Sequence, residues 1–251
     1  MKAHWAFAAL LAAVLGAGTS AGAAVKTRMV SYKSGNETVQ GFLAIPGTPG
    51  RHPALIVIHE WWGLMPWVKE QSEKFAAAGY VSLAVDLYRG KSTDQPQVAR
   101  ELASALPPDR ALRDLDAAFH YLATRRDVDP REIGDVGWCM GGGWALRLAT
   151  REPRLAACAV NYGELPTSAS AIAAIRCPVL GNFGALDRGI TPEKVRAFEA
   201  AMKQAGKPFD AKIYPDANHA FENPGNKTGY RPEDAADAWS RMLAFFQRTL
   251  P

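Results

Sequence analysis

A cysteine, an aspartate and a histidine, each placed just after a strand-like run, can form a nucleophilic relay, and this chain carries such a set. Gly137-Trp138-Cys139-Met140-Gly141-Gly142-Gly143 lies between a run that reads as a strand and one that reads as a helix. A glycine-x-nucleophile-x-glycine turn forces its central residue into a strained backbone, so its flanks must be small. It also sets the nucleophile at a helix N-terminus, where the dipole and free N–H groups favour a thiolate. Gly184-Ala185-Leu186-Asp187-Arg188 and Asp216-Ala217-Asn218-His219-Ala220-Phe221 each follow a later strand-like run. The chain order is nucleophile, acid, base, with each candidate at the carboxyl edge where open α/β sheets place ligands. In such a set His219 takes the thiol proton or pairs with the thiolate, and Asp187 fixes its tautomer. Singly, these residues read as a buried structural thiol, a loop cap and a surface imidazole; together and in this order they point to acyl transfer.

Other candidate groups carry less. His59-Glu60-Trp61-Trp62-Gly63 opens like a zinc-protease helix but lacks the second histidine and ends a strand instead. We therefore expect no metal site, and with no dinucleotide or phosphate-loop pattern in the mature chain, no cofactor. His52 falls in a loop, and His120 sits beside the apolar stripe of a helix as a partly exposed structural residue. Three cysteines are too few for a disulfide scaffold. Cys158 and Cys177 fall near the starts of consecutive strands, a placement that seldom allows a bridge, so both read as free buried thiols.

The elements that must hold the relay alternate. Strands are expected at Val39–Ile45, Ala54–His59, Val81–Val85, Ile133–Gly137, Leu155–Val160, Val179–Phe183 and Phe209–Tyr214. Helices are expected at Val68–Ala78, Asp109–Thr124 and Gly141–Thr150. A further helix opens at Thr191-Pro192, with Thr191 as its cap, and a closing one carries Trp239, Met242, Leu243 and Phe246. Helices between strands imply one α/β domain, a mainly parallel sheet covered on both faces. Composition agrees: 251 residues are 48% hydrophobic and 22% charged, as in ordinary globular chains rather than disordered ones. The net charge of +4 comes without any basic run beyond pairs, which argues against a nucleic-acid partner.

Met1-Lys2-Ala3-His4, an apolar run from Trp5 to Leu15 and the small-residue stretch ending Ala21-Gly22-Ala23 read as a secretory leader, residues 1–23. The run is shorter than the roughly 20 residues that span a bilayer. We expect cleavage near Ala23 or Ala24, export to the periplasm or medium, and a mature domain over 24–251 with no membrane contact.

From about Met29 to Phe246 the chain resembles the dienelactone hydrolase (carboxymethylenebutenolidase) family of the α/β-hydrolase fold. The resemblance rests on His59-Glu60-Trp61-Trp62-Gly63-Leu64, Asp86-Leu87-Tyr88, the Cys139 turn, Gly184 to Asp187, His219-Ala220-Phe221 and the Asp234-Ala235-Ala236-Asp237-Ala238-Trp239 helix. It implies Cys139 as nucleophile, His219 as base and Asp187 as its orienting acid. Glu60 corresponds to a second carboxylate that contacts the resting thiol and helps ionise it when substrate arrives. The oxyanion hole would be the backbone N–H groups of Met140 and Trp61. Members that open dienelactone hold its carboxylate with two arginines. Gly90 stands at one of those positions, with Arg89 adjacent, and Asn223 stands at the other. Arg89, Tyr88, Trp62 and Trp138 are the substrate-contact candidates, the tryptophans suggesting a broad aromatic pocket.

The resemblance implies an exported cysteine hydrolase of small enol lactones or related esters, working through an acyl-enzyme on a small-molecule substrate. Two alternatives stay open: a broad-specificity carboxylesterase of neutral esters, and a non-catalytic small-ligand-binding protein on the same fold. The sequence leaves the oligomeric state open.

Overall fold

The computed structural model describes residues 24–251, so the expected leader lies outside the described residues. Eight strands form one sheet in the order β1-β2-β4-β3-β5-β6-β7-β8. Hairpin strands β1 (Lys26–Ser34) and β2 (Glu37–Ile45) run antiparallel, and β2 pairs antiparallel with β4 (Val81–Val85). From β4 through β3 (His52–Ile58), β5 (Val128–Trp138), β6 (Ala157–Asn161), β7 (Val179–Gly184) and β8 (Phe209–Tyr214) every pair is parallel.

The apolar runs explain the layers. Along β3, Leu55 and Val57 pack on one face while Ile56 and Ile58 pack on the other, so both faces need cover. Helices α1 (Pro66–Ala77) and α7 (Pro232–Thr249) cover the first face, with Val68, Phe75, Met242 and Phe246 buried there. The opposite face takes α3 (Pro108–Ala123), α4 (Met140–Arg151), α5 (Ala169–Ala174) and α6 (Pro192–Gln204), which present Leu115, Phe119, Leu146, Ile172 and Phe198. Those helices, like α2 (Pro96–Ser104), sit on the crossovers between strands. Proline opens α1, α2, α3, α6 and α7, where its missing N–H is not needed. Thr191 holds the expected position before α6, yet its hydroxyl makes no capping bond.

The chain leaves β3 for β4 on one side and then returns to β5 on the other. That reversal opens a crevice at the carboxyl ends of β3 and β5, the usual ligand position in such sheets. Glu60 follows β3 and Cys139 follows β5, so the topology delivers both to one place. No helix among the described residues is long and apolar enough to cross a membrane. Cys158 and Cys177 are unbridged and buried.

Candidate active site

The turn between β5 and α4 is closed by glycines. Cys139 sits at φ 56° and ψ −120°, a left-handed setting uncommon for a side-chain-bearing residue. Its N–H is held by the Asn161 carbonyl at 3.0 Å. A Cβ on Gly137 would lie 2.1 Å from the Gly141 carbonyl oxygen, and one on Gly141 would lie 2.2 Å from that of Ile58. Backbone fills both places, so the strain at Cys139 is locked in by its neighbours. Replacing Gly137 by alanine should cost on the order of 3 kcal/mol of stability, read by chemical denaturation. A loss within experimental error would show that the turn can relax.

Loops after β7 and β8 bring the other two members. His219 Nδ1 and Asp187 Oδ2 are 2.6 Å apart. Asp187 Oδ1 accepts from the N–H groups of Gly189 at 2.8 Å and Ile190 at 3.1 Å, so the buried carboxylate is fixed on both sides. Burial alone would raise the Asp187 pKa, but the His219 hydrogen bond and charge and these amides bring it below the ordinary value. Burial would likewise lower His219; the hydrogen bonds to Asp187 and Cys139 outweigh it and lift the imidazole to about 10. The structure thus pairs His219 with Asp187 and places His219 and Cys139 at one cavity. Tyr162, itself at φ 40°, packs its ring edge-on against His219 at 5.2 Å between centroids.

Glu60 joins them from the end of β3. It is buried, and Asn223 donates its side-chain N–H to Glu60 Oε2 at 2.5 Å. Oε1 has no partner. Desolvation pushes Glu60 up to about 7, with the Asn223 hydrogen bond and the His219 charge opposing it. His59 braces this strand end: its Nδ1–H donates to the Glu60 carbonyl at 2.5 Å, and Leu87 N–H donates to its Nε2 at 3.3 Å. Burial lowers the His59 pKa and so favours that neutral tautomer. Met140 opens α4, where a helix offers no acceptor for its N–H. Trp61 N–H has no backbone acceptor among the described residues.

A cavity of about 1000 Å³ opens over this set, lined by Glu60, Cys139 and His219 together with Trp61, Trp62, Met65, Trp67, Val68 and Asn223. Three of the expected substrate contacts are not in its lining. Trp138 is fully buried behind the cavity-lining Trp67, which it meets edge-on, and donates to Glu222 Oε2 at 2.9 Å. Arg89 is held away by ion pairs, 2.7 Å to Asp114 and 3.1 Å to Glu37. Tyr88 is buried beneath Met140, its hydroxyl 3.2 Å from the sulfur. Sequence reading missed Tyr162 and Glu222; no motif marks either, although Tyr162 follows β6 as the other site residues follow their strands.

A mainly parallel sheet covered by helices on both faces, a strained Cys139 turn after β5 and an Asp187–His219 pair on the loops after β7 and β8 define an α/β-hydrolase fold. The chain belongs to the dienelactone hydrolase family, whose model matches residues 39–250. Among relatives, "Putative carboxymethylenebutenolidase" of Methylorubrum extorquens is 30% identical over 224 residues, 84% of this chain and 77% of that protein. "Protein usf" of Aquifex pyrophilus is 31% identical over 231 residues, 89% of this chain and 99% of that one. The crystal structure of a "Putative Dienelactone Hydrolase" from Klebsiella pneumoniae superposes with TM-score 0.82 at 29% identity, covering 90% of this chain and 99% of that one.

Proposed function

We propose that this member of the family is an exported cysteine-nucleophile hydrolase of small neutral esters or enol lactones, acting through an acyl-enzyme on Cys139. The observation that carries this reading is the 2.6 Å Asp187–His219 pair beside a cysteine held at positive φ on the cavity floor. His219 takes the thiol proton, and the thiolate sulfur attacks the carbonyl carbon. The Met140 and Trp61 N–H groups receive the oxyanion; one such donor is worth roughly 3–4 kcal/mol in related chemistry. As the tetrahedral species collapses, the C–O bond breaks and His219 gives its proton to the leaving oxygen. A water molecule then attacks the thioester, passes a proton to His219, and the acid leaves as the thiol is restored. Glu60, raised by burial, takes or holds a proton next to the resting thiol. The basic start, apolar run and A-x-A end of residues 1–23 support export.

Neutral substrates follow from the lining. Asn223 occupies one family arginine position and spends its amide on Glu60, while Arg89 is tied to Asp114. Around the cavity stand the carboxylates of Glu60, Glu70 and Asp94 against the single lysine Lys227. A matched pair of esters, one bearing a free carboxylate, should show kcat/KM at least about tenfold higher for the neutral one, which needs only ~1.4 kcal/mol. Asn223→Arg should narrow that ratio by a similar factor. Preference for the anionic ester in the wild type would refute the assignment. Alkylation by iodoacetamide, with and without a substrate analogue, separates enzyme from binding protein: an inert Cys139 under both conditions would favour the latter.

A further inference from the structure

The catalytic groups account for only part of the cavity lining. Between β3 and α1 the side chains of Trp61, Trp62, Met65, Pro66 and Trp67 also line it, each open in part to solvent, and none of them has a role in the cycle. A contiguous apolar patch of this kind marks a binding surface. The segment is held in shape. The Trp62 carbonyl accepts the Thr93 N–H at 3.0 Å, and Gly63 turns at φ 90°, where a Cβ would lie 2.5 Å from the Lys91 carbonyl oxygen. The Trp61 and Trp62 rings are 4.8 Å apart between centroids and tilted by 60°. Trp67 is backed edge-on by Trp138 at 5.3 Å. Trp138 in turn gives its indole N–H to Glu222 Oε2 at 2.9 Å, and both residues are buried. The polar side of the cavity offers less. Asn223 donates to Glu60, and the Asn226 amide donates to the His219 and Ala220 carbonyls at 3.1 and 3.2 Å. Glu70, Asp94 and Lys227 stand exposed at the rim, where salt and water screen them.

We infer that this aromatic wall selects esters or lactones carrying a bulky aryl group, with Trp62 and Trp67 as the specificity-determining contacts and Glu222 positioning Trp67 through Trp138. The inference rests on the acyl-transfer reading above and narrows its substrate class. A cavity of about 1000 Å³ stands at the upper end of the roughly 300–1000 Å³ that encloses drug-sized ligands. A simple acetate would leave most of that space to water lying on indole rings. A flat fused-ring group displaces this water from apolar surface and adds offset or edge-on ring contacts with the tryptophans. Glu222 matters because a buried indole N–H must keep an acceptor. While it does, Trp138 presents a fixed edge to Trp67. Without the acceptor Trp138 must turn to find another, and Trp67 loses its backing.

The test compares methyl acetate with methyl 2-naphthylacetate, which carries the ring on the acyl side, and 2-naphthylmethyl acetate, which carries it on the alcohol side. Each kcat/KM is divided by the rate constant of the same ester with hydroxide. At least one naphthyl ester should exceed methyl acetate by about a hundredfold, as burial of a fused ring system predicts. Trp62→Ala and Trp67→Ala should each cut that ratio by about tenfold. Glu222→Ala should cut it by about threefold, and Glu222→Gln, which keeps an acceptor for Trp138, should recover it. Trp138→Phe, which loses the N–H and keeps a ring, stands in where Glu222→Ala does not fold. A merely structural role would slow all the esters alike and leave the ratio in place. A wild-type ratio below about tenfold, or a ratio unmoved in both tryptophan variants, overturns the inference. A ratio unmoved in Glu222→Ala, or in its stand-in, overturns the role given to Glu222. If Cys139 is still acylated by methyl acetate in those cases, the thiol reading survives; no adduct on Cys139 with any of the esters would bring down the thiol reading and this inference with it.

Discussion

Cys139→Ala should lower kcat on a neutral ester by roughly 10⁴- to 10⁶-fold while the protein keeps its fold. The expectation is large because the set acts as a unit. Without the sulfur no covalent step forms, and the His219–Asp187 pair has nothing to deprotonate except water. Thr93 and Thr228 also line the cavity, but the Thr228 hydroxyl is occupied with Asn226 and the Thr93 oxygen accepts from Gln95. Neither sits at a strained turn in front of a helix N-terminus. The variant should remain folded because alanine removes one sulfur from a turn whose geometry is imposed by Gly137, Gly141 and the Asn161 carbonyl. Steady-state rates with a denaturation curve check both halves. Turnover within tenfold of wild type, in a folded variant, would refute the thiol mechanism.

Asp187→Asn should cost about 10⁴-fold in kcat with little change in KM. The carboxylate now accepts the His219 Nδ1–H on one oxygen and two loop N–H groups on the other. Asparagine can keep its oxygen on the loop only by turning its NH₂ toward Nδ1. The ring must then carry its proton on Nε2, the nitrogen that should accept from the thiol. The pH dependence changes too. His219 is lifted to about 10 largely by hydrogen bonds to Asp187 and Cys139, so once the ring has taken the thiol proton it holds it through neutral pH beside the thiolate. With the carboxylate gone the folded value drops, and the charged ring is lost at lower pH. The limb that reports leaving-group protonation should therefore move to acid. A variant with unchanged rate and limb would leave Asp187 as a loop anchor only.

Much of this site is legible in local sequence because its parts are local. The Cys139 turn is a run of small residues, and the acid and base each follow a strand that continuous apolar residues announce. β4 at Val81–Val85 and β8 at Phe209–Tyr214 end where the sequence reading ends them. What escaped lacks such a signal. β1 is an edge strand with mostly exposed side chains, so it shows no buried run. α2 is nine residues long and α5 six, so both are too short for helical periodicity to be read along the sequence. Side-chain direction at the site was likewise out of reach. Arg89 turns from the cavity because Asp114, 25 positions on, neutralises it. Trp138 turns inward because Glu222, 84 positions on, takes its N–H. Contacts of that range arise only once the sheet is assembled.

The central claim is covalent catalysis at Cys139, and rapid-quench mass spectrometry tests it most directly. During turnover of a neutral ester, acid-quenched protein should carry one acyl group, and digestion should place it on the peptide containing Cys139. Cys139→Ala should show none. Acylation of a different residue, or full turnover with no acyl adduct in wild type and in Cys139→Ala alike, would contradict the account.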